Sequence, residues 1–230
     1  MEQNLKILIS LAMMIYSSIL PGLSLAVETM NTLDSVDSVE IAETTETEAV
    51  TEKATEAAEP VVVVSNATEQ EYVVFTENNI KTQDMRKKSR LDEKTLTEYM
   101  KKFPYLSGIE GTLIKIQEDY DVNAVLILAI VRIESGNGKS SAATSRNNLG
   151  GLIVMQDSVR VFKSFDSKDD CLIYMANLLA NHYLSEGGKF FNGYTLSGIS
   201  KKYCEPPTEW VDLVAEMMLE IQRGIGTGEN

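Results

Sequence analysis

One carboxylate, Glu134, stands where the most apolar stretch of the chain, Ala124 to Val131, gives way to the small polar run Ser135-Gly136-Asn137-Gly138-Lys139-Ser140. A buried general acid would sit in such a place. If the apolar stretch is helical, it is a core helix with Asn123 or Asp121 as N-cap and Gly136 as its C-terminal stop, and Glu134 occupies the last turn. There the negative end of the helix dipole and the apolar surroundings both disfavour ionisation, which raises the carboxyl pKa and suits it to donate a proton near neutral pH. The plainer alternative is a solvated Glu paired with Arg132.

Other reactive groups are few. The chain has two cysteines, Cys171 and Cys204, and one histidine, His182. The cysteines match no metal spacing and are read either as a disulfide or as two buried thiols. His182 recurs at helical spacing with Cys171, Met175 and Leu178, which makes it a packing residue. Ser135 and Ser140 have no evident base beside them and read as helix-end and loop hydrogen bonders rather than nucleophiles. No metal or organic cofactor is implied.

The run from Glu134 to Ser140, followed by Asn147-Asn148-Leu149-Gly150-Gly151-Leu152, resembles the active-site stretch of bacterial endo-β-N-acetylglucosaminidases of the lysozyme-like superfamily, glycoside hydrolase family 73. The family string is Glu-Ser-Gly-Trp-Gly-x-Ser, then Asn-Asn-Leu-Phe-Gly-Ile, so Asn137 stands for the Trp and Gly150 for the Phe. Phe165-Asp166-Ser167, Tyr174, Leu178-Leu179, Thr195-Leu196, Lys201-Lys202-Tyr203 and Trp210-Val211 follow in the family's order. The resemblance covers roughly Thr95 to Gly224.

It implies a mostly α (α+β) fold, a lysozyme-like helical domain with a small β-hairpin beside the cleft. It also implies cleavage of peptidoglycan glycan strands at N-acetylglucosaminyl β-1,4 bonds with Glu134 as general acid. Glycoside hydrolysis ordinarily uses two carboxylates. Asp157 on the hairpin is the nearest acidic candidate for the second, although an Asp-Ser pair is also a ready turn former. Tyr203 aligns with a cleft tyrosine, the alternative being a core tyrosine beside Trp210. Ser135, Asn147, Asn148 and Tyr194 complete the expected substrate-binding set, with the two asparagines able instead to shape a turn. Two other activities stay open: a lytic transglycosylase that leaves anhydromuramic ends, and a non-catalytic wall-binding or assembly module.

The net charge of -13 over 230 residues is uneven. Between Val27 and Tyr72 twelve carboxylates face a single lysine, Lys53. The low pI therefore describes this stretch, and the rest is close to neutral. Nucleic-acid binding is excluded as a reading, because no basic stripe is interleaved with aromatics and the acidic stretch would be repelled by phosphate.

The elements that must position Glu134 are bracketed by appendages. Residues 1–26 read as a secretory signal peptide cleaved after Ala26, the alternative being an uncleaved anchor. The expected location is therefore secreted or cell-surface, without stable membrane insertion, and the chain is expected to act as a monomer. Residues 27–90 read as an acidic low-complexity linker too poor in aromatics to offset ordering entropy. Val61 to Val64 and Tyr72 to Phe75 are its only β-like runs.

Residues 91–226 form the expected domain. It opens with a helix from about Asp92 to Lys102. Ser107-Gly108-Ile109-Glu110 reads as a capping box for a second helix, and the core helix bearing Glu134 is third. Leu152 to Phe162 alternates as a hairpin about Asp157-Ser158. A helix from about Lys168 to Ser185 follows, then one capped by Thr195 and a last one capped by Thr208, with Trp210, Val214, Met217, Met218 and Ile221 inward.

Overall fold

The computed structural model describes residues 72–204 and 207–226. The expected signal peptide, residues 27–71 of the expected acidic linker and the Val61 to Val64 run lie outside the described residues. Seven α-helices and one hairpin are described: α1 (Glu93–Met100), α2 (Glu110–Tyr120), α3 (Ala124–Glu134), α4 (Ser141–Arg146), β1 (Ile153–Gln156), β2 (Val159–Phe162), α5 (Lys168–Leu178), α6 (Leu196–Tyr203) and α7 (Pro207–Gly224). A π-helical turn, Leu179–Tyr183, continues α5. The mostly helical expectation with one hairpin holds.

Helix α3 is the axis of the core. Its residues from Ala124 to Arg132 are all buried, as an unbroken apolar run requires, and α2, α5 and α7 pack around it. Asn123 caps it by accepting from the Leu126 N–H at 3.1 Å. Helix α7 supplies the facing surface through Trp210, Val214, Met217, Met218 and Ile221, all buried. Asp92 caps α1, Ser167 caps α5 and Thr195 caps α6, each accepting from the backbone N–H three residues on.

β1 and β2 pair antiparallel with Ile153 opposite Phe162 and Gln156 opposite Val159. Asp157 and Ser158 join them with φ of 49° and 66°, the left-handed pair that a two-residue hairpin turn demands.

Two local expectations are corrected, and one open alternative is resolved. Ser107 does not cap α2: its hydroxyl donates to the Pro104 carbonyl, and Glu110 reaches back to the Gly108 N–H, so the capping box is replaced by a turn closed on the preceding 3-10 segment. Thr208 lies inside the first turn of α7, which begins at Pro207, a position where proline's missing N–H costs nothing. Of the two readings left open for the cysteines, the disulfide is not formed: Cys171 and Cys204 are not bonded to each other. Cys171 is buried with its sulfur accepting from the Leu149 N–H, and burial pushes its thiol up.

The largest correction concerns the boundary at 91. Val73, Phe75, Ile80 and Met85 belong to the core, so residues 72–90 are a strap of the domain and not linker. Gln222 on α7 receives the Phe75 N–H and donates to the Phe75 carbonyl, both at 2.7 Å. Gln117 likewise accepts from the Ser89 N–H, and Asn123 donates to the Lys87 carbonyl. No local pattern marks this strap, because its backbone is held by scattered long-range bonds, among them those to three buried amide side chains distant in sequence, rather than by a regular sheet.

Candidate active site

Helix α3 ends at Glu134 because three consecutive residues beyond Ser135 are left-handed: Gly136 (φ 58°), Asn137 (φ 59°) and Gly138 (φ 81°). Glycine adopts this conformation freely and asparagine is among the side chains that tolerate it best. Ser135 is buried and locks the loop. Its hydroxyl donates to the Val131 carbonyl at 2.5 Å and accepts from the Gly138 N–H at 2.7 Å. Gly138 lies so close to the Tyr105 and Leu106 side chains that an added Cβ would meet them at 2.9 and 2.8 Å.

The second loop reaching Glu134 is held by Asn148. Its amide nitrogen donates to the carbonyls of Leu152 (2.7 Å) and Lys163 (2.9 Å), and its oxygen accepts from the Leu152 N–H (2.9 Å). One buried side chain thus ties both feet of the hairpin and presents the Gly150-Gly151 turn to the end of α3. Gly151 has φ 64°, and a Cβ there would lie 3.5 Å from Oε2 of Glu134. The carboxylate therefore looks onto a stretch of backbone without a side chain.

Among the described residues no hydrogen bond or ion pair engages the Glu134 carboxylate. Burial alone pushes its pKa up, from 4.5 to about 7, because a carboxylate removed from water without a partner is costly to ionise. Arg132 is not its partner. That guanidinium points to α1 and α7, donating to the Tyr99 hydroxyl (2.6 Å) and pairing with Glu220 (2.9 Å), and its Nε donates to Asn137 Oδ1 (2.8 Å). It also lies 4.0 Å from the centroid of the Phe103 ring. The left-handed residue of the loop is thereby pinned from behind, and Glu134 is left unneutralised.

The other expected residues divide. Ser135 and Asn148 are buried with their polar groups spent inside the fold, which corrects their placement as sugar contacts and makes them positioning residues. Asn147 is the left-handed C-cap of α4 and donates to the Phe165 and Asp166 carbonyls. Tyr194 stands apart. Its hydroxyl donates to Glu186, its ring carries the Arg86 guanidinium 3.4 Å from the centroid, and it lines a polar cavity of about 450 Å³ with Arg86, Tyr120 and Asp121 that does not include Glu134.

Tyr203 belongs to an aromatic cluster, with ring centroids 5.0 Å from Trp210 and 5.6 Å from Tyr183. Asp157 is exposed at the tip of the hairpin. Roughly 17 Å of extended chain separates it from Leu152 at the foot. Sequence reasoning missed Gly151, whose only signal was the Gly-Gly pair, and Tyr99 and Glu220, which carried none.

Residues 111–223 match the family model described as mannosyl-glycoprotein endo-beta-N-acetylglucosaminidase. Two proteins from strains of Streptococcus pneumoniae, both named provisionally as endo-beta-N-acetylglucosaminidases, are each 28% identical over 117 residues, 50% of this chain. The match spans 18% and 16% of those proteins, so the chain spans less than a fifth of the length of either. Among solved structures, S. aureus autolysin E superposes with a TM-score of 0.53 at 22% identity, covering 66% of this chain and 75% of that one. A catalytic mutant of the same autolysin, in complex with the disaccharide NAG-NAM, gives 0.50 at 18% identity over 64% and 73%. The autolysin likeness carries the lysozyme-like fold, and the family model together with the streptococcal relatives carries the assignment: residues 111–223 form a domain of the glucosaminidase family of glycoside hydrolases.

Proposed function

We infer that the chain is a peptidoglycan hydrolase that cuts the glycan backbone at N-acetylglucosaminyl β-1,4 bonds, with Glu134 donating the proton to the leaving oxygen. One observation carries the reading: an unpartnered carboxyl at the end of a buried helix, facing a side-chain-free turn, with its pKa pushed up to about 7. Such a group is protonated through the acid side of neutrality and can donate. The domain's family and the streptococcal relatives' names support a glycan substrate, and the apolar run before Ala26 supports export to the cell surface.

A second carboxylate would activate water about 6.5–9.5 Å from the first in an inverting enzyme, or attack from about 5 Å in a retaining one. Asp157 fills that role if its carboxyl comes within such a distance of Glu134. Tyr203 is proposed to stabilise the developing cation or orient the substrate. The runner-up, a lytic transglycosylase, needs only one carboxylate serving as acid and then base, and it is favoured by the exposed position of Asp157 at the tip of the hairpin.

Digestion of purified peptidoglycan by the chain and by Glu134→Gln, with the new ends identified by mass spectrometry, separates the readings. Reducing N-acetylglucosamine ends are the expected product. Anhydromuramic ends would move the chain to the transglycosylases, and sedimentation with walls without Glu134-dependent products would make it a binding module.

A further inference from the structure

Among the described residues, two of the three exposed aromatic side chains stand on segments that adjoin the two loops meeting at Glu134: Tyr105 on the 3-10 segment Pro104–Leu106 and Phe162 at the end of β2. Tyr105 is 50% exposed and Phe162 46%. Tyr105 packs its Cβ against Gly138 of the loop that follows Glu134, and its carbonyl accepts from the Lys168 ammonium at 2.6 Å. Its neighbour Leu106 is fully buried. Phe162 pairs with Ile153, two residues beyond Gly151, and the neighbouring Lys163 carbonyl is clamped by Asn148. Both rings are thus exposed on backbone that is rigidly tied to the carboxylate's surroundings, and no hydrogen bond among the described residues uses the Tyr105 hydroxyl.

Isolated exposed apolar residues are ordinary. Two rings carried by the segments that support the loops around one carboxyl are a different arrangement, because an aromatic face and the C–H face of a pyranose bury against each other without desolvating the sugar hydroxyls. Held in place beforehand, such rings also lose little entropy on binding. Resting on the glycan-cleaving reading above, we propose that Tyr105 and Phe162 are sugar-stacking platforms flanking Glu134, with the Tyr105 hydroxyl available to a sugar hydroxyl or acetamide group.

The test titrates a soluble β-1,4-linked N-acetylglucosamine tetramer into the full chain carrying Glu134→Gln, by calorimetry, with Tyr105→Ala, Phe162→Leu, Tyr105→Phe and Phe162→Tyr added singly. Loss of either ring is expected to weaken binding about tenfold, a difference of about 1.4 kcal/mol, while the ring-retaining variants keep most of the affinity. With Glu134 intact and peptidoglycan as substrate, the ring-removing variants should raise KM by more than they lower kcat.

Equal affinity of Phe162→Leu and its parent, with melting temperatures unchanged, overturns the proposal; Phe162 serves as the control should Tyr105→Ala fail to fold. Binding that depends on the rings in a chain that digests nothing leaves this proposal standing and removes the role of Glu134. Digestion with KM indifferent to both rings does the reverse, and a chain that neither binds nor digests overturns both.

Discussion

The α-carbon of Gly151 faces the carboxylate of Glu134 so closely that a single added methyl would lie 3.5 Å from Oε2. The backbone there is left-handed, at φ 64°. Gly151→Ala should therefore cost about 1–2 kcal/mol of conformational strain and further enclose the carboxyl. The alkaline limb of the pH–activity profile is expected to move upward in this variant. An unmoved limb with reduced activity would mean that strain alone is felt.

Glu134 titrates against its own burial, which yields a paired prediction. Its folded-state pKa of about 7 lies above the ordinary 4.5, so folding favours the protonated form. Stability is then unpenalised below about pH 4.5 and declines as pH rises through 7, by up to about 3 kcal/mol. Activity that needs the acid form should fall over the same upper range. Urea unfolding should find Glu134→Gln equal to wild type at pH 4 and more stable at pH 8. Equal stability at both values would place the carboxyl in contact with solvent.

Asp157 supplies a sharper discrimination. As a turn residue at φ 49° it is replaceable by Asn, which tolerates the same conformation, so Asp157→Asn should leave the melting temperature unchanged. If its carboxylate is not the second catalytic group, activity on peptidoglycan should stay within a few-fold. A loss of about a hundredfold or more would identify it as the base or nucleophile.

Chains beginning at 72 and at 91 should differ strongly. The shorter one uncovers the sites of Val73, Phe75, Ile80 and Met85 and strands the buried amides of Gln222 and Gln117. It is expected to be insoluble or to unfold at much lower urea than the longer one. The single change Gln222→Ala, leaving the Phe75 N–H and carbonyl without their partner, should cost about 2 kcal/mol.

Breaking the support behind the loop gives a further measure. Arg132→Met removes the cation that joins Tyr99, Glu220 and Asn137. Glu220 is half exposed and can return to water, so the expected loss is about 2 kcal/mol rather than the larger figure for a fully buried pair. Glu220→Gln should cost less than half as much by the same urea measurement.

Short-range patterns along the chain were enough to define the local elements and the place of the key carboxyl along them. An unbroken apolar run, an asparagine before it and a glycine after it set helix α3, its cap, its stop and Glu134 in its last turn. Alternation about Asp157-Ser158 set the hairpin, and the methionine stripe set the buried face of α7. These signals lie within one or two turns of the residues they organise, so period and capping chemistry suffice to read them.

What those elements meet depended on contacts between residues far apart in the chain. Arg132 turned away from Glu134 because Tyr99 and Glu220, distant in sequence, offered it partners. Ser135 and Asn148 became supports rather than sugar contacts because the loop and hairpin carbonyls around them needed donors. The strap joined the core because Gln222, 147 positions away, could satisfy the Phe75 backbone. In each case a buried polar group had to find a partner wherever the fold brought one, and that pairing follows from burial in three dimensions and not from the pattern of neighbours along the chain.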